Sequence, residues 1–439
     1  MNFRNIILSV LSVCFFCISA GATQWYVIQE TGSDSNSGLS EKEAFRTLQK
    51  AADMVEPGDI VYIGNGVYTS ADARGEAVLE IHRSGTPDAW ITWTALKGHT
   101  HQIRPSGWSG ILILADYQVL DGLTVIGNND SIALKHAIAD LKNTTPNPYF
   151  NTNGIFVDGR KKPVGEKPHH TVIRNCTVCK CAGGGITGIE MDYFTVENCK
   201  VYNNAWYMRY AGSGITTLNN WAFDYEPGYH VIIRNNLVWN NRCMVSWEKI
   251  GKLSDGNGIL LDVTNPRTPN LTNPEGDAVV QTEKKEKKPV VNPDNPTRPE
   301  WPNRALIENN VSVYNGGSGI HVFRTSHVDI INNTTYWNGS SVDYEELFPN
   351  TSTDIVIKNN IMVPRPGGRV TSNNRNSDIV WDGNVYPVDQ NVIRGENDIV
   401  AMPEFVDPYI DLEKADFRLR KGSALKGKGA DLSKIKKIK

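Results

Sequence analysis

Leu306-Ile307-Glu308-Asn309-Asn310-Val311-Ser312-Val313-Tyr314 alternates apolar and polar residues and is interrupted by an asparagine pair. Alternation at period two is the pattern of a half-buried strand, and Asn within such a run is a turn former. Two short strands joined by a tight turn follow. The same pattern recurs as Val172-Ile173-Arg174-Asn175-Cys176-Thr177-Val178, as Val196-Glu197-Asn198-Cys199-Lys200-Val201-Tyr202 and as Ile232-Ile233-Arg234-Asn235-Asn236-Leu237-Val238-Trp239. Further copies are Ile330-Ile331-Asn332-Asn333, Ile355-Val356-Ile357-Lys358-Asn359-Asn360 and a degenerate one over 379–386. Aligned on Asn175, Asn198, Asn235, Asn310, Asn333 and Asn360, the steps are 23, 37, 75, 23 and 27 residues.

Between these copies Gly154-Ile155, Gly185-Ile186, Gly214-Ile215, Gly258-Ile259 and Gly319-Ile320 each open another alternating segment. A repeat therefore holds about three short strands. Its minimal period is too short for a propeller blade and lacks the helical periodicity of α-solenoids. The expected fold is all-β, a right-handed parallel β-helix in which each coil contributes three strands and equivalent residues stack at ~4.8 Å. The asparagines then form a ladder at one turn, and Cys176 stacks on Cys199.

The 439 residues include 38 Gly and 42 Asn, and the formal net charge is -3. That balance excludes a polycationic surface for nucleic acid or an anionic membrane. Residues 1–22 read as a signal peptide: Arg4, an apolar run, then Ala20-Gly21-Ala22 before Thr23. Lipidation at Cys14 is the rival, and no later stretch is long enough to span a bilayer. The expected product is a secreted or periplasmic monomer with one β-helix domain over 23–439. Five cysteines remain after the signal, an odd number in a core too large to need disulfides. Ser40-Glu41-Lys42-Glu43 is a capping box, so a capping helix is expected over 41–55 and the first coil strand over 58–63. The longest departure from the repeat, 264–303, contains eight of the 22 prolines and reads as a loop insertion at one corner. The lysine-rich C-terminus reads as a solvated tail.

Trp25-Tyr26-Val27, the run Gly32-Ser33-Asp34-Ser35-Asn36-Ser37-Gly38, Phe45-Arg46-Thr47-Leu48-Gln49-Lys50-Ala51, Pro57-Gly58-Asp59 and Gly66-Val67-Tyr68 resemble the N-terminal part of secreted pectin-lyase-like β-helix proteins. Ser254-Asp255-Gly256-Asn257-Gly258-Ile259-Leu260 and Gly319-Ile320-His321-Val322-Phe323-Arg324, with His327-Val328-Asp329, resemble segments of polysaccharide lyase family 9. That resemblance implies β-elimination on an acidic polysaccharide substrate, pectin or rhamnogalacturonan I, assisted by calcium. Such chemistry needs a base for the proton on C5, a cation for the adjacent carboxylate, and a proton for the leaving oxygen. Calcium would take oxygen ligands, for which Asp255, Asn257 and Asp262 are the candidates. The family's aspartate run in the preceding coil has only Asp224 to answer it here, and the family's lysine after the Gly-Asn-Gly turn is replaced by Leu260 or Leu261.

If the isoleucines of the Gly-Ile segments point inward, the outward row reads Phe156/Asp158, Thr187, Thr216, Leu260/Asp262 and His321/Phe323. Asp262 and His321 then share one face beside the root of the insertion. A displaced base is sought in its lysine cluster, Lys284, Lys285, Lys287 and Lys288, with Lys285 preferred for its cationic neighbours and Lys249 next. Arg324 is the candidate partner of a substrate carboxylate. His321 and Trp247 are candidate substrate contacts, and Trp206 and Trp221 are weighed as sugar-stacking or packing residues. Two rivals are a glycoside hydrolase on the same fold and a non-catalytic glycan-binding or adhesion β-helix.

Overall fold

The computed structural model describes residues 21–70, 76–265, 267–268, 290–291, 298–390 and 392–435. The chain winds through three long sheets in the order A, B, C and back to A. Sheet A runs from Gln24–Val27 to Ser377–Asp382, sheet B from Gly66–Thr69 to Ile399–Val400, and sheet C from Ala77–Ile81 to Leu347–Asn350. Every pairing within these sheets is parallel, with each strand bonded to its equivalents in the coils above and below. This is the expected parallel β-helix.

The interior follows the Gly-Ile rule. Ile155, Ile186, Ile215, Ile259 and Ile320 are fully buried. The glycines ahead of them are required by space: a Cβ on Gly185 would stand 2.5 Å from the Gly214 carbonyl oxygen, and one on Gly214 would stand 2.7 Å from that of Gly258. Coils entering sheet C touch backbone to backbone, and only glycine fits.

The asparagine ladder exists, but its register differs from the expected alignment by one residue. Strand pairing makes Arg174, Glu197, Arg234, Glu308, Ile331 and Lys358 equivalent. The residues that follow them, Asn175, Asn198, Asn235, Asn309, Asn332 and Asn359, all have φ between 53° and 58°. This left-handed backbone is one that Asn tolerates. The next position points inward. It holds Cys176 and Cys199 in equivalent places, both reduced and buried, and then Asn236, Asn310, Asn333, Asn360 and Asn384. Along these the Nδ2 of each donates to the Oδ1 of the next at 2.9 to 3.1 Å. A second ladder runs Asn204, Asn241, Asn315, Asn338 and ends on the buried Glu346 carboxylate. Two different needs, a turn and a column, both select Asn, and the Asn-Asn pairs serve each once.

Three further expectations are corrected. The strand Gln24–Val27 precedes Ile60–Ile63 in sheet A, so the latter is second. The capping helix is instead a 3₁₀ turn at Glu41–Glu43 and a short helix at Leu48–Ala52, each with a hydroxyl cap from Ser40 or Thr47. Phe45 interrupts them because its backbone bonds both Tyr26 and Ile28 and its ring stacks on Trp25 at 5.6 Å. As far as Ile435 the C-terminal segment is not a frayed tail, while Lys436, Lys437 and Lys439 lie outside the described residues. Phe405, Leu412, Phe417, Leu425 and Ile435 cover Trp239, Val311, Val313, Ile361 and Val363 on the outward side of sheet B.

Candidate functional site

Strand register fixes the outward row of sheet C. Phe156, Thr187, Thr216, Leu260, His321 and Phe348 stand in one line, and Asp158, Ile189, Leu218, Asp262, Phe323 and Asn350 in the next. The row is as expected from the sequence. It is the floor of the candidate cleft, the outward surface between the turns that enter sheet C and the turns that leave it toward sheet A. Leu260, where the resemblance expects a lysine, is 4% exposed and packed in this floor.

His321 is 6% exposed. Its ring lies parallel to Phe348 at 4.7 Å and meets Tyr344 at 5.6 Å. Neither ring nitrogen has a hydrogen-bond partner. Burial pushes its pKa down to about 3, so it is a neutral imidazole at physiological pH.

At the exit of the strand Ile259–Asp262, the half-buried Asp262 keeps Oδ1 buried and without a partner. Burial pushes its carboxyl up to about 8, and the Asp255 charge pushes the same way against Arg324 and Arg298. Asp255 itself rises to about 6 by burial, against hydrogen bonds from Ser254 and Asn257. Arg324 follows Phe323 and lays its guanidinium 4.9 Å over that ring. Among the described residues no acid pairs with it. Arg298, 3% exposed, donates to the carbonyls of Asn220, Thr264 and Val263, while its Nε has no partner.

Other expected residues stand apart from this group. Trp247 and Lys249 lie on the turn closed by the Trp247–Lys252 bridge, ahead of the strand and so toward its entry end. Lys249 is exposed, with its Nζ 5.9 Å from the Trp247 ring. Trp206 packs with Tyr207 and donates to the Asn240 carbonyl, a structural role. Trp221 lies under Lys167 at 5.2 Å. Lys285 and its neighbours Lys284, Lys287 and Lys288 lie outside the described residues.

The four expected calcium ligands do not assemble. Asn257 is fully buried, and its Oδ1 accepts from the Ser318 amide. Asp224 accepts from Tyr193 Oη at 2.7 Å and from the Glu226 amide on the turn toward sheet A, and it answers to His230 and His170. Of the four, Asp262 alone is shifted by another, by the charge of Asp255. Among the described residues no group of three or more His, Cys, Asp or Glu is arranged to hold a metal ion, whereas calcium takes six to eight oxygens. These donors do not fit a calcium cage.

Sequence reading missed Arg298, which is framed by Thr297 and Pro299 at the end of the proline-rich insertion. Its only local signal was the return of a charged and aromatic run, Arg298-Pro299-Glu300-Trp301, after that segment. Tyr344, on the edge of His321, carried no signal.

Three stacked parallel sheets define the class: a parallel β-helix protein. Residues 25–360 match the model of the Pel9A-like right-handed β-helix region, and the chain belongs to that family. Among solved structures it is similar to the pectate lyase Pel9A, at 16% identity and TM-score 0.49, covering 95% of this chain and 94% of that one. A rhamnogalacturonan lyase follows at 15% identity and TM-score 0.44, covering 83% and 87%. The GH136 lacto-N-biosidase from Eubacterium ramulus has 13% identity and TM-score 0.43, covering 83% and 56%. No curated protein matches the chain by sequence. No helix among the described residues is long and apolar enough to cross a membrane.

Proposed function

We propose that this chain is a secreted polysaccharide lyase that cuts a uronate-containing plant polysaccharide, rhamnogalacturonan I or pectin, by β-elimination in the cleft over sheet C. The observation that carries the reading is Arg324, a guanidinium without an acid partner among the described residues, laid on Phe323 and acting electrostatically on Asp262. A planar cation so placed suits a carboxylate bidentately and neutralises it as negative charge develops at C5. Lys285 is proposed as the base, because its insertion leaves the coil directly after Asp262 and Val263. Asp262, its carboxyl at about 8, is protonated at neutral pH and donates to the leaving oxygen. Lys285 takes the C5 proton, the electron pair forms a C4–C5 double bond as the C4–O bond breaks, and the leaving oxygen takes the Asp262 proton. Calcium has no part in this scheme.

The test is incubation with rhamnogalacturonan I and with polygalacturonate, following the ultraviolet absorbance of the unsaturated uronate. Absorbance with matching chain scission supports the lyase. A glycoside hydrolase is the second reading, favoured by the carboxyl pair Asp255 and Asp262 at about 6 and about 8. Divergent pKa values of neighbouring carboxyls are what paired acid and base catalysis uses. Reducing ends without absorbance would select it. Binding with neither product would select the non-catalytic adhesion protein.

A further inference from the structure

The turn from sheet C into sheet A carries a second feature that the cleft does not use. Register aligns Trp90, Tyr117, His170 and Tyr193, each one residue ahead of a paired position in sheet A. Trp90 meets Tyr117 edge-on at 5.5 Å, Tyr117 stacks on His170 at 4.7 Å, His170 on Tyr193 at 4.1 Å and Tyr193 on the buried His230 at 3.8 Å. The first four rings are half-buried and span about 14 Å along the coil axis at ~4.8 Å per step. Beside them Phe223 is 51% exposed and lies 3.8 Å from the His169 ring, and Tyr225 is 77% exposed. Apolar side chains this open, next to a continuous line of ring edges, are more than the coil needs for its own packing.

The electrostatics are opposite to those of the cleft. Asp116 and Asp224 border the strip. His169 and His170 do not offset them: burial lowers both, His170 to about 4. The His230 imidazole is tied to Asp192 at 3.0 Å, and Arg304 further along the same corner is tied to Asp329 and Asp354. Among the described residues no unpaired guanidinium faces these rings, and the His230 imidazole, whose pKa is raised, is already held by Asp192, so the strip offers a uronate no open cationic partner. Carboxylate oxygens, imidazole nitrogens and the phenol of Tyr117 instead suit sugar hydroxyls, with ring surface for the apolar side of a pyranose or furanose.

We propose that this aromatic corner, with Phe223 and Tyr225 as its exposed contacts, is a binding site for neutral saccharide units, separate from the cationic cleft. Because it stands on other residues, it does not depend on the lyase reading. Its occupant is a neutral glycan chain or branch, held by stacking and hydroxyl hydrogen bonds and with little sensitivity to salt.

Native affinity electrophoresis tests this on the full chain, with a soluble galactan and an arabinan as neutral probes and polygalacturonate as the charged one. The wild type is expected to be retarded by at least one neutral glycan. Phe223→Ala/Tyr225→Ala should weaken that retardation about tenfold, with retardation by polygalacturonate and the melting temperature unchanged. Tyr117→Phe, which keeps the ring, should weaken it less. Absence of retardation by both neutral glycans would overturn the proposal. So would equal retardation of wild type and double variant, or a loss confined to polygalacturonate.

Discussion

The inner asparagine columns and the rim of the sheet C cleft are built from the same coils, yet they treat polar atoms in opposite ways. In the columns every amide is occupied. Asn333, for example, donates to the carbonyls of Ile307 and Ile331 and to Asn360 Oδ1, while its own Oδ1 accepts from the amide and side chain of Asn310. At the candidate cleft, both nitrogens of His321, Asp262 Oδ1 and Arg298 Nε are buried without partners. Satisfied polar groups hold a fold together, and unsatisfied ones at a cleft mark where a ligand or water belongs. The columns are scaffold, and the outward surface of sheet C is where the site is proposed.

That contrast is open to attack by substitution. Asn333→Ala should cost the most stability, about 3 kcal/mol or more, because it strands several buried donors and acceptors at once. Urea unfolding would show it, and catalytic constants at low temperature should stay near wild type. If Asn333→Ala proved as stable as wild type, the ladder would not be scaffold. Arg324→Gln should do the reverse, lowering kcat/KM on the uronate polymer about a hundredfold while leaving the unfolding midpoint in place. A rate within about twofold of wild type would remove Arg324 from the site.

Asp262→Asn should reduce turnover by about a hundredfold, as expected for loss of a proton donor. In the wild type kcat/KM should fall as pH rises through about 8, where Asp262 ionises. The smallest effect concerns Glu346, which ends the second ladder. Burial raises its carboxyl from 4.5 to about 8 in the fold, against its bonds with Asn338. Between these values the folded state binds more protons than the unfolded chain, so stability falls as pH rises across the window. Glu346→Gln should flatten that slope and raise the melting temperature at pH above 8. An unchanged slope would mean the carboxylate ionises without penalty.

The outward row at the cleft was legible because period two and the glycine before each strand are local facts. Thr187, Thr216, Leu260 and His321 were therefore aligned correctly from sequence. The asparagine register was not, because a left-handed turn and an inward hydrogen-bonded column select the same residue type, and only partners 23 to 74 residues away separate Asn309 from Asn310. The C-terminal lysines suggested a solvated tail, since the apolar strip that receives Phe405 and Phe417 is scattered over several coils. Arg298 and the stacked rings of the sheet C to sheet A corner were likewise invisible, although Tyr117, His170, Tyr193, His230 and His327 each precede an apolar strand segment.

By itself the sequence determined the coil: the three-strand repeat, its inward isoleucines, its glycine column and the outward face on which Asp262 and His321 stand. These follow from short-range sterics and side-chain alternation, which act over two or three residues. Only the tertiary structure decided which polar atoms are left without partners, how far burial moves the carboxyls of Asp255, Asp262 and Glu346, and that Asp224 stands apart from Asn257. Desolvation and hydrogen bonding across coils set those properties, and both depend on residues brought together from distant parts of the chain.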